Sequence, residues 1–166
     1  MVRKVSEVAL SLPSVLDPPD LDFVINNYRA AGKKIAFTNG CFDLLHIGHV
    51  RYLQQAKSLA DILIVGINTD RSVQKLKGPD RPIQKENDRA EILAALKFVD
   101  HTILFDDETP LSLIKRIKPD YLVKGGDWKI SEIIGSDFVL SYGGDVRSLQ
   151  FIQNKSTTAL IQKSQK

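Results

Sequence analysis

A chain of 166 residues, 43% hydrophobic and 26% charged, holds enough apolar material for one domain with a proper core and is too short for two substantial ones. That composition argues against disorder, and no apolar run approaches the roughly 20 residues a membrane helix needs. A net charge of +3 is too small to imply a nucleic-acid partner, and the single cysteine, Cys41, permits no intrachain disulfide. The N-terminus from Met1 to Glu7 begins with basic residues but has no continuous apolar core behind them, so a secretory signal is disfavoured and a cytoplasmic location is expected.

In chain order, residues 1–16 alternate short apolar and polar patches and end at Pro13 and Pro18-Pro19, which predicts an N-terminal arm with room for one helical turn. Asp20 is placed to cap a helix from about Leu21 to Ala31, with Phe23, Val24, Tyr28 and Ala31 toward the core and Gly32 as its stop. Residues 1–32 are expected to pack on a domain formed by residues 33–166, or to make a dimer contact. Ile35-Ala36-Phe37 reads as a buried strand, and Val50, Leu53, Ala56 and Leu59 recur at helical spacing behind it. Asp61 to Ile67 reads as a second buried strand, and two strands joined by a helix begin a right-handed parallel unit.

From Asn68 to Pro82 the chain is polar and basic, with Arg71, Lys75, Lys77 and Arg81, and reads as a functional loop suited to an anion. Helical periodicity returns from about Lys85 to Leu96, with Ala90, Leu93, Ala94 and Lys97 near one face and Arg89 projecting from its first half. A third strand from His101 to Phe105, in which His101 is a structural residue, precedes a helix capped by Thr109 or Asp107 and running through Arg116. A fourth strand, Tyr121-Leu122-Val123, ends in Lys124-Gly125-Gly126-Asp127-Trp128, a glycine turn at the carboxyl edge of a parallel sheet. Short strands are expected near Phe138 to Leu140 and Val146 to Leu149, and Ser156 or Thr157 is expected to cap a terminal helix. The alternation predicts one α/β domain: a Rossmann-like, doubly wound sheet of about five mainly parallel strands between two layers of helices.

The stretch from Thr38 to Val50, Thr-Asn-Gly-Cys-Phe-Asp-Leu-Leu-His-Ile-Gly-His-Val, lies on the first strand-to-helix turn. A helix N-terminus there offers unpaired N–H groups and partial positive charge to an anion. Gly40 lets the backbone approach a ligand, Gly48 leaves the helix start uncovered, and His46 and His49 bracket that glycine with imidazole donors, so the turn reads as a polyphosphate site. Zinc held by these histidines with Cys41 and Asp43 is disfavoured by the glycine turn and by the lack of a second Cys/His cluster, so no metal ligands are assigned. A Cys41 nucleophile with His46 as base finds no support elsewhere in the chain.

This stretch resembles the HxGH signature of the nucleotidylyltransferase superfamily, the cytidylyltransferase-like enzymes. The resemblance implies that His46, Gly48, His49 and the loop residues Thr38, Asn39, Gly40, Cys41 and Phe42 hold a nucleoside triphosphate. It also implies that Ser156, Thr157 and Thr158, opening a helix near the C-terminus, grip the outer phosphates. Val65 to Val73, Leu76 to Pro82 and Lys118 to Asp127 narrow the resemblance to the D-glycero-β-D-manno-heptose 1-phosphate adenylyltransferases, which stand alone or form the second domain of bifunctional ADP-heptose synthases.

The reaction so implied is ATP plus a heptose 1-phosphate giving ADP-heptose and pyrophosphate, for the inner core of lipopolysaccharide. His46, His49 and Lys75 would be catalytic, Lys124, Gly125, Gly126 and Asp127 would lie by the nucleoside, and Asp43, Lys77, Arg81 and Arg89 by the acceptor. Mg²⁺ is expected to ride on the ATP phosphates. Expected partners are ATP and the sugar 1-phosphate, with no nucleic acid or membrane, and a homo-oligomer, most simply a dimer. No sugar-kinase sequence precedes the motif, so a separate kinase is expected to supply the sugar phosphate. The rival readings are nucleotide transfer to glycerol phosphate, choline phosphate, phosphopantetheine or flavin mononucleotide, and a nucleotide-binding module without activity.

Overall fold

The computed structural model describes residues 14–150. The apolar runs become six strands, all parallel: β1 (Val15–Leu16), β2 (Ile35–Gly40), β3 (Ile62–Asn68), β4 (His101–Phe105), β5 (Tyr121–Gly125) and β6 (Asp145–Leu149), in the order β1-β4-β3-β2-β5-β6. Six helices connect them: α1 (Leu21–Ala30), α2 (Ile47–Ser58), α3 (Asp70–Lys77), α4 (Glu86–Ala94), α5 (Leu111–Ile117) and α6 (Ser136–Ser141).

Strand alternation sorts the core into two halves. Ile35 and Phe37, Ile62 and Ile64, and Leu122 face one side and pack with Leu21, Val24 and Ile25 of α1, Ile114 and Ile117 of α5, and Val139 of α6. Ala36, Leu63, Val65, Ile67 and Val123 face the other and pack with Tyr52, Leu53 and Ala56 of α2 and Ala90 and Leu93 of α4. Helices thus cover both faces, as an all-parallel sheet requires, and all seven residues of β3 are buried. Among the described residues no helix is long and apolar enough to cross a membrane.

The winding reverses at β2: β3 and β4 follow on one side, β5 and β6 on the other. At such a switch point the carboxyl ends of neighbouring strands diverge into a crevice. Here β2 pairs with β5 only at Ala36↔Tyr121 and Phe37↔Leu122, and beyond those residues the two strands part. The Tyr52 hydroxyl fills the root of the gap, donating to the Val123 carbonyl at 3.2 Å and hydrogen-bonding Thr38 Oγ1.

Several elements differ from the sequence reading. Residues 138–140 are helical, in α6, because an apolar triplet that short carries no usable period. The basic stretch after Asn68 is the helix α3, capped by the Thr69 hydroxyl, which accepts from Ser72 N. Val15 and Leu16 are an edge strand beside Thr102 and Ile103. In α1 the buried residues are Leu21, Val24 and Ile25, while Phe23 is 62% exposed and Ala31 faces water. Helix α5 begins after Pro110 with no side-chain cap. The segment holding Ser156, Thr157 and Thr158, and the terminal helix expected there, lie outside the described residues.

Candidate active site

The turn between β2 and α2 has a close-packed geometry that its sequence dictates. Phe42 sits in the left-handed region at φ 45°, which turns its ring back over Gly40, where a Cβ would come within 3.0 Å of the ring. That conformation is unfavourable for a non-glycine residue, and it is held by burial of the ring and by the anchoring of Asp43 behind it.

Asp43 is buried and accepts from Arg81 Nε at 2.6 Å, Ile83 N at 2.8 Å and Gln84 N at 3.0 Å. Burial pushes its carboxyl up, but the hydrogen bonds from Gln84, Arg81 and Ile83 outweigh it and hold the group below the usual carboxylate range. Arg89, 1% exposed, ties the same turn to α3: Nη1 donates to Cys41 O at 2.6 Å, Nε to Gln84 O at 3.1 Å and Nη2 to Asp70 Oδ1 at 2.9 Å. Glu86 accepts the backbone N–H of Asp70 at 2.6 Å. The turn, the start of α3 and the 78–85 connection are therefore one cross-linked unit.

His46 is the N-cap of α2, and its Nδ1 accepts the Gly48 N–H at 3.1 Å. In the neutral ring the proton is then on Nε2. The His49 ring stacks on it, with centroids 3.9 Å apart, and meets the Phe42 ring edge-on. Burial first, then the electrostatic influence of the nearby His46 and Lys77, lowers the His49 pKa to about 4, so this imidazole is neutral near pH 7 and serves as a hydrogen-bonding group.

A cleft of about 170 Å³ opens above this turn, lined by Asn39, Gly40, Cys41, Phe42, Asp43, His49, Tyr52, Lys77, Lys124 and Gly125. Residues from opposite ends of the sequence-predicted set thus meet at the switch point. A second, more enclosed slot shares Asn39 and Lys124 with the cleft and is otherwise lined by Pro110, Leu122, Val123, Trp128, Glu132, Ile133 and Ile134. Leu122 and Ile133 of the slot belong to the core half beneath α1 and α5, whereas its Val123 belongs with Phe42 and Tyr52 of the cleft to the half beneath α2.

Of the remaining predicted residues, Thr38 is fully buried and serves Tyr52, while Gly48 is buried at the start of α2. Lys77 lines the cleft and the exposed Lys75 does not, because two residues apart on a helix point to nearly opposite faces. Gly126, at φ 116°, turns the chain after β5, and its carbonyl accepts from the Ser148 hydroxyl at 2.5 Å; Asp127 is exposed. The sequence reading missed Tyr52, Pro110 and Glu132, and it quoted Trp128 only as the end of the glycine turn after β5. Only Tyr52 carried a signal, as a residue one turn beyond His49 on the same helix.

Such an arrangement can bind a polyphosphate through backbone amides, neutral imidazole N–H and lysine, and it can stabilise charge that builds on phosphoryl oxygens. The chain is similar to known proteins. Residues 37–160 match the cytidylyltransferase-like family. The bifunctional protein HldE of Nitratiruptor sp. is 50% identical over 90% of this chain and 31% of its own length. HldE of Caulobacter vibrioides is 54% identical over 89% of this chain and 30% of its own length, so the chain spans about a third of these curated relatives. A crystal structure of the lipopolysaccharide core biosynthesis protein from Thermoplasma volcanium superposes with a TM-score of 0.61 at 31% identity, covering 75% of this chain and 100% of that one. The chain belongs to the cytidylyltransferase-like family.

Proposed function

We propose that this chain transfers AMP from MgATP to D-glycero-D-manno-heptose 1-phosphate, giving ADP-heptose and pyrophosphate for the heptose of lipopolysaccharide core. One observation carries the reading: stacked His46 and His49 at the start of α2 adjoin a cleft that also holds Lys77 and Lys124, so imidazole donors and two cations converge at the switch point. The similarity to HldE proteins and to a lipopolysaccharide core biosynthesis protein supports the sugar phosphate as acceptor.

The acceptor phosphate is already an anionic nucleophile. Its oxygen attacks the α-phosphorus, the bond from that phosphorus to the α,β-bridging oxygen breaks, and pyrophosphate departs with the electron pair, so no enzyme nucleophile or strong base is needed. Catalysis is positioning plus electrostatic stabilisation. His46 and His49 donate to phosphate oxygens, and the amides of Asn39 to Phe42 lie against them. Lys77 takes the role that the sequence reading gave to Lys75, and Ser156, Thr157 and Thr158 keep their assignment to the outer phosphates. Asp43 and Arg89 hold the turn and the 78–85 connection in place, their polar atoms engaged with protein, while Arg81 donates from Nε to Asp43 and keeps its assignment by the acceptor through Nη2, which is buried with no hydrogen bond among the described residues.

In this reading Mg²⁺ arrives on the triphosphate as part of the substrate. The transferase domain in this reading begins at residue 33, with α1 packed on it and residues 1–13 outside the described residues, in a cytoplasmic homodimer. Pyrophosphate release is the test, measured with each nucleoside triphosphate against heptose 1-phosphate, glycerol 3-phosphate, choline phosphate, phosphopantetheine and flavin mononucleotide. Release that requires ATP and heptose 1-phosphate supports the assignment; release with CTP and an alcohol phosphate, or none with any acceptor, refutes it.

A further inference from the structure

Strands β2 and β5 start as neighbours and then separate, and a single side-chain oxygen occupies the point of separation. Their last paired residues are Phe37 and Leu122, so the next rung of the ladder would join Thr38 to Val123. The Tyr52 hydroxyl bridges those two residues instead: it donates to Val123 O at 3.2 Å, and with its one proton used there it accepts from the Thr38 hydroxyl. On their other sides both strands stay paired well past this level, β2 with β3 as far as Gly40↔Ile67 and β5 with β6 as far as Gly125↔Leu149. The split is therefore confined to one seam and is not a general fraying of the sheet.

Core packing does not call for that hydroxyl. The buried Tyr52 ring packs in the apolar half beneath α2, where a phenylalanine ring would fill the same space. A buried hydroxyl is unfavourable unless it is bonded, and here both of its bonds go to the two strands that part. Burial pushes the phenol pKa up, so the group keeps its proton and the bridge does not titrate near neutral pH. The oxygen also sits at the root of the cleft. Tyr52 lies one turn after His49 on α2, so one helix face carries both the imidazole and the phenol. Thr38 leads into the Asn39–Phe42 turn and Val123 into Lys124 and Gly125, and all of these arms line the cleft together with Tyr52. One hydroxyl thus fixes α2, β2 and β5 relative to one another beneath the groups that face the phosphates.

We propose that Tyr52 is a positioning residue for nucleotidyl transfer: its hydroxyl, standing where β2 and β5 would otherwise share their next rung, sets the width of the crevice. That width fixes the spacing between His49 and the turn amides on one side and the end of β5 on the other. The inference rests on the transferase reading above and adds to it a residue that touches no reacting atom. In-line displacement needs the attacking oxygen, the α-phosphorus and the leaving oxygen in register, and a misplacement of about 1 Å costs up to about 100-fold in rate. The hydroxyl is spent on the two strands, so its loss falls on the transfer step rather than on binding of either substrate.

Tyr52→Phe keeps the ring and removes the bridge, Thr38→Val removes its partner on β2, and Thr38→Ser keeps that partner. Using the full chain, kcat and both KM values are measured with ATP and heptose 1-phosphate, well below the Tm of each variant so that unfolded protein does not contribute. Tyr52→Phe should lower kcat by about 10- to 100-fold while both KM values stay within about threefold of wild type. Thr38→Ser should recover most of the rate that Thr38→Val loses. The double variant Tyr52→Phe/Thr38→Val should lose scarcely more than Tyr52→Phe alone, because both changes break one junction. Trp128 is the only tryptophan in the chain and its indole N–H donates to Gly125 O at 3.1 Å, so its emission without ligand reports the end of β5 and should shift in Tyr52→Phe. A kcat within about threefold of wild type in Tyr52→Phe, a loss confined to KM, or additive losses in the double variant overturns the proposal. If the wild-type chain transfers AMP to no acceptor, the transferase reading falls; the Trp128 emission then separates the two, a shift in Tyr52→Phe supporting the bridge and an unchanged emission overturning it.

Discussion

The two ends of the sheet carry similar numbers of charged residues and use them in opposite ways. At the amino-terminal ends of β2 and β5 an open basin of about 300 Å³ is lined by Arg29, Lys33, Lys34, Lys118, Asp120 and Tyr142, and it is larger than the cleft over the β2–α2 turn. Its cations are already engaged: Lys34 with Asp120 at 2.7 Å, Lys33 with Asp61 at 3.7 Å, Arg29 with the carbonyls of Ile117 and Lys118, and Lys118 over the Tyr142 ring. At the carboxyl ends, Asp43 and Arg89 are spent on the backbone, while Lys77 and Lys124 line the cleft with no ion pair among the described residues. Cavity size therefore does not mark the site. What marks it is positive charge with no ion pair among the described residues, set beside a cross-linked frame.

The largest effect should come from the cleft's imidazole. His49→Ala removes a neutral donor from beside the phosphates and should lower kcat by about 100- to 1000-fold, with circular dichroism and Tm close to wild type. A rate near normal would end the catalytic role given to it. Next is the frame. Arg89→Met leaves Asp70, Cys41 O and Gln84 O without their buried donor, and loss of one partner of such a pair costs about 3–5 kcal/mol. For a chain of this size, a Tm lower by about 10 °C is expected in calorimetry. An unchanged Tm would mean that the turn is held by something other than this guanidinium.

How much of this could be read beforehand depended on whether a feature is local. The β2–α2 turn announced itself because glycine, histidine and a preceding apolar strand lie within a dozen residues, and backbone geometry acts over that range. Parallel strands were legible as apolar runs, and the doubly wound order follows from their alternation with helices. What stayed hidden was long-range. Arg89 reads as a projecting helical charge until folding sets it beneath Cys41, 48 residues away, and Tyr52 reads as core until β2 and β5 part around its hydroxyl. Glu132 carried no periodic or motif signal, and Trp128 closed the quoted glycine turn without a role of its own, since both meet Pro110 only in space.

The α3 lysines show the same limit in miniature and give a sharper test. By resemblance Lys75 falls to the reacting phosphates and Lys77 to the acceptor, as a flexible loop allows; on a helix the two diverge by about 200°. Lys77→Met should therefore cost about 10- to 100-fold in kcat/KM, and Lys75→Met less than about threefold. Equal losses would show that α3 does not hold its present orientation when substrate is bound.

The smallest effect belongs to the basin at the opposite end. Lys34 has a side chain 64% exposed, and its partner Asp120 keeps a second bond, from the Ile35 N–H at 2.9 Å, when the lysine is removed. Exposed pairs of this kind contribute little, because water already solvates both charges well and ordering the lysine costs entropy. Lys34→Ala should then shift Tm by no more than about 3 °C and leave acceptor and ATP KM unchanged. A marked rise in either KM would mean that the two ends of the sheet are coupled through β2, and the contrast between compensated and uncompensated charge would no longer locate the chemistry.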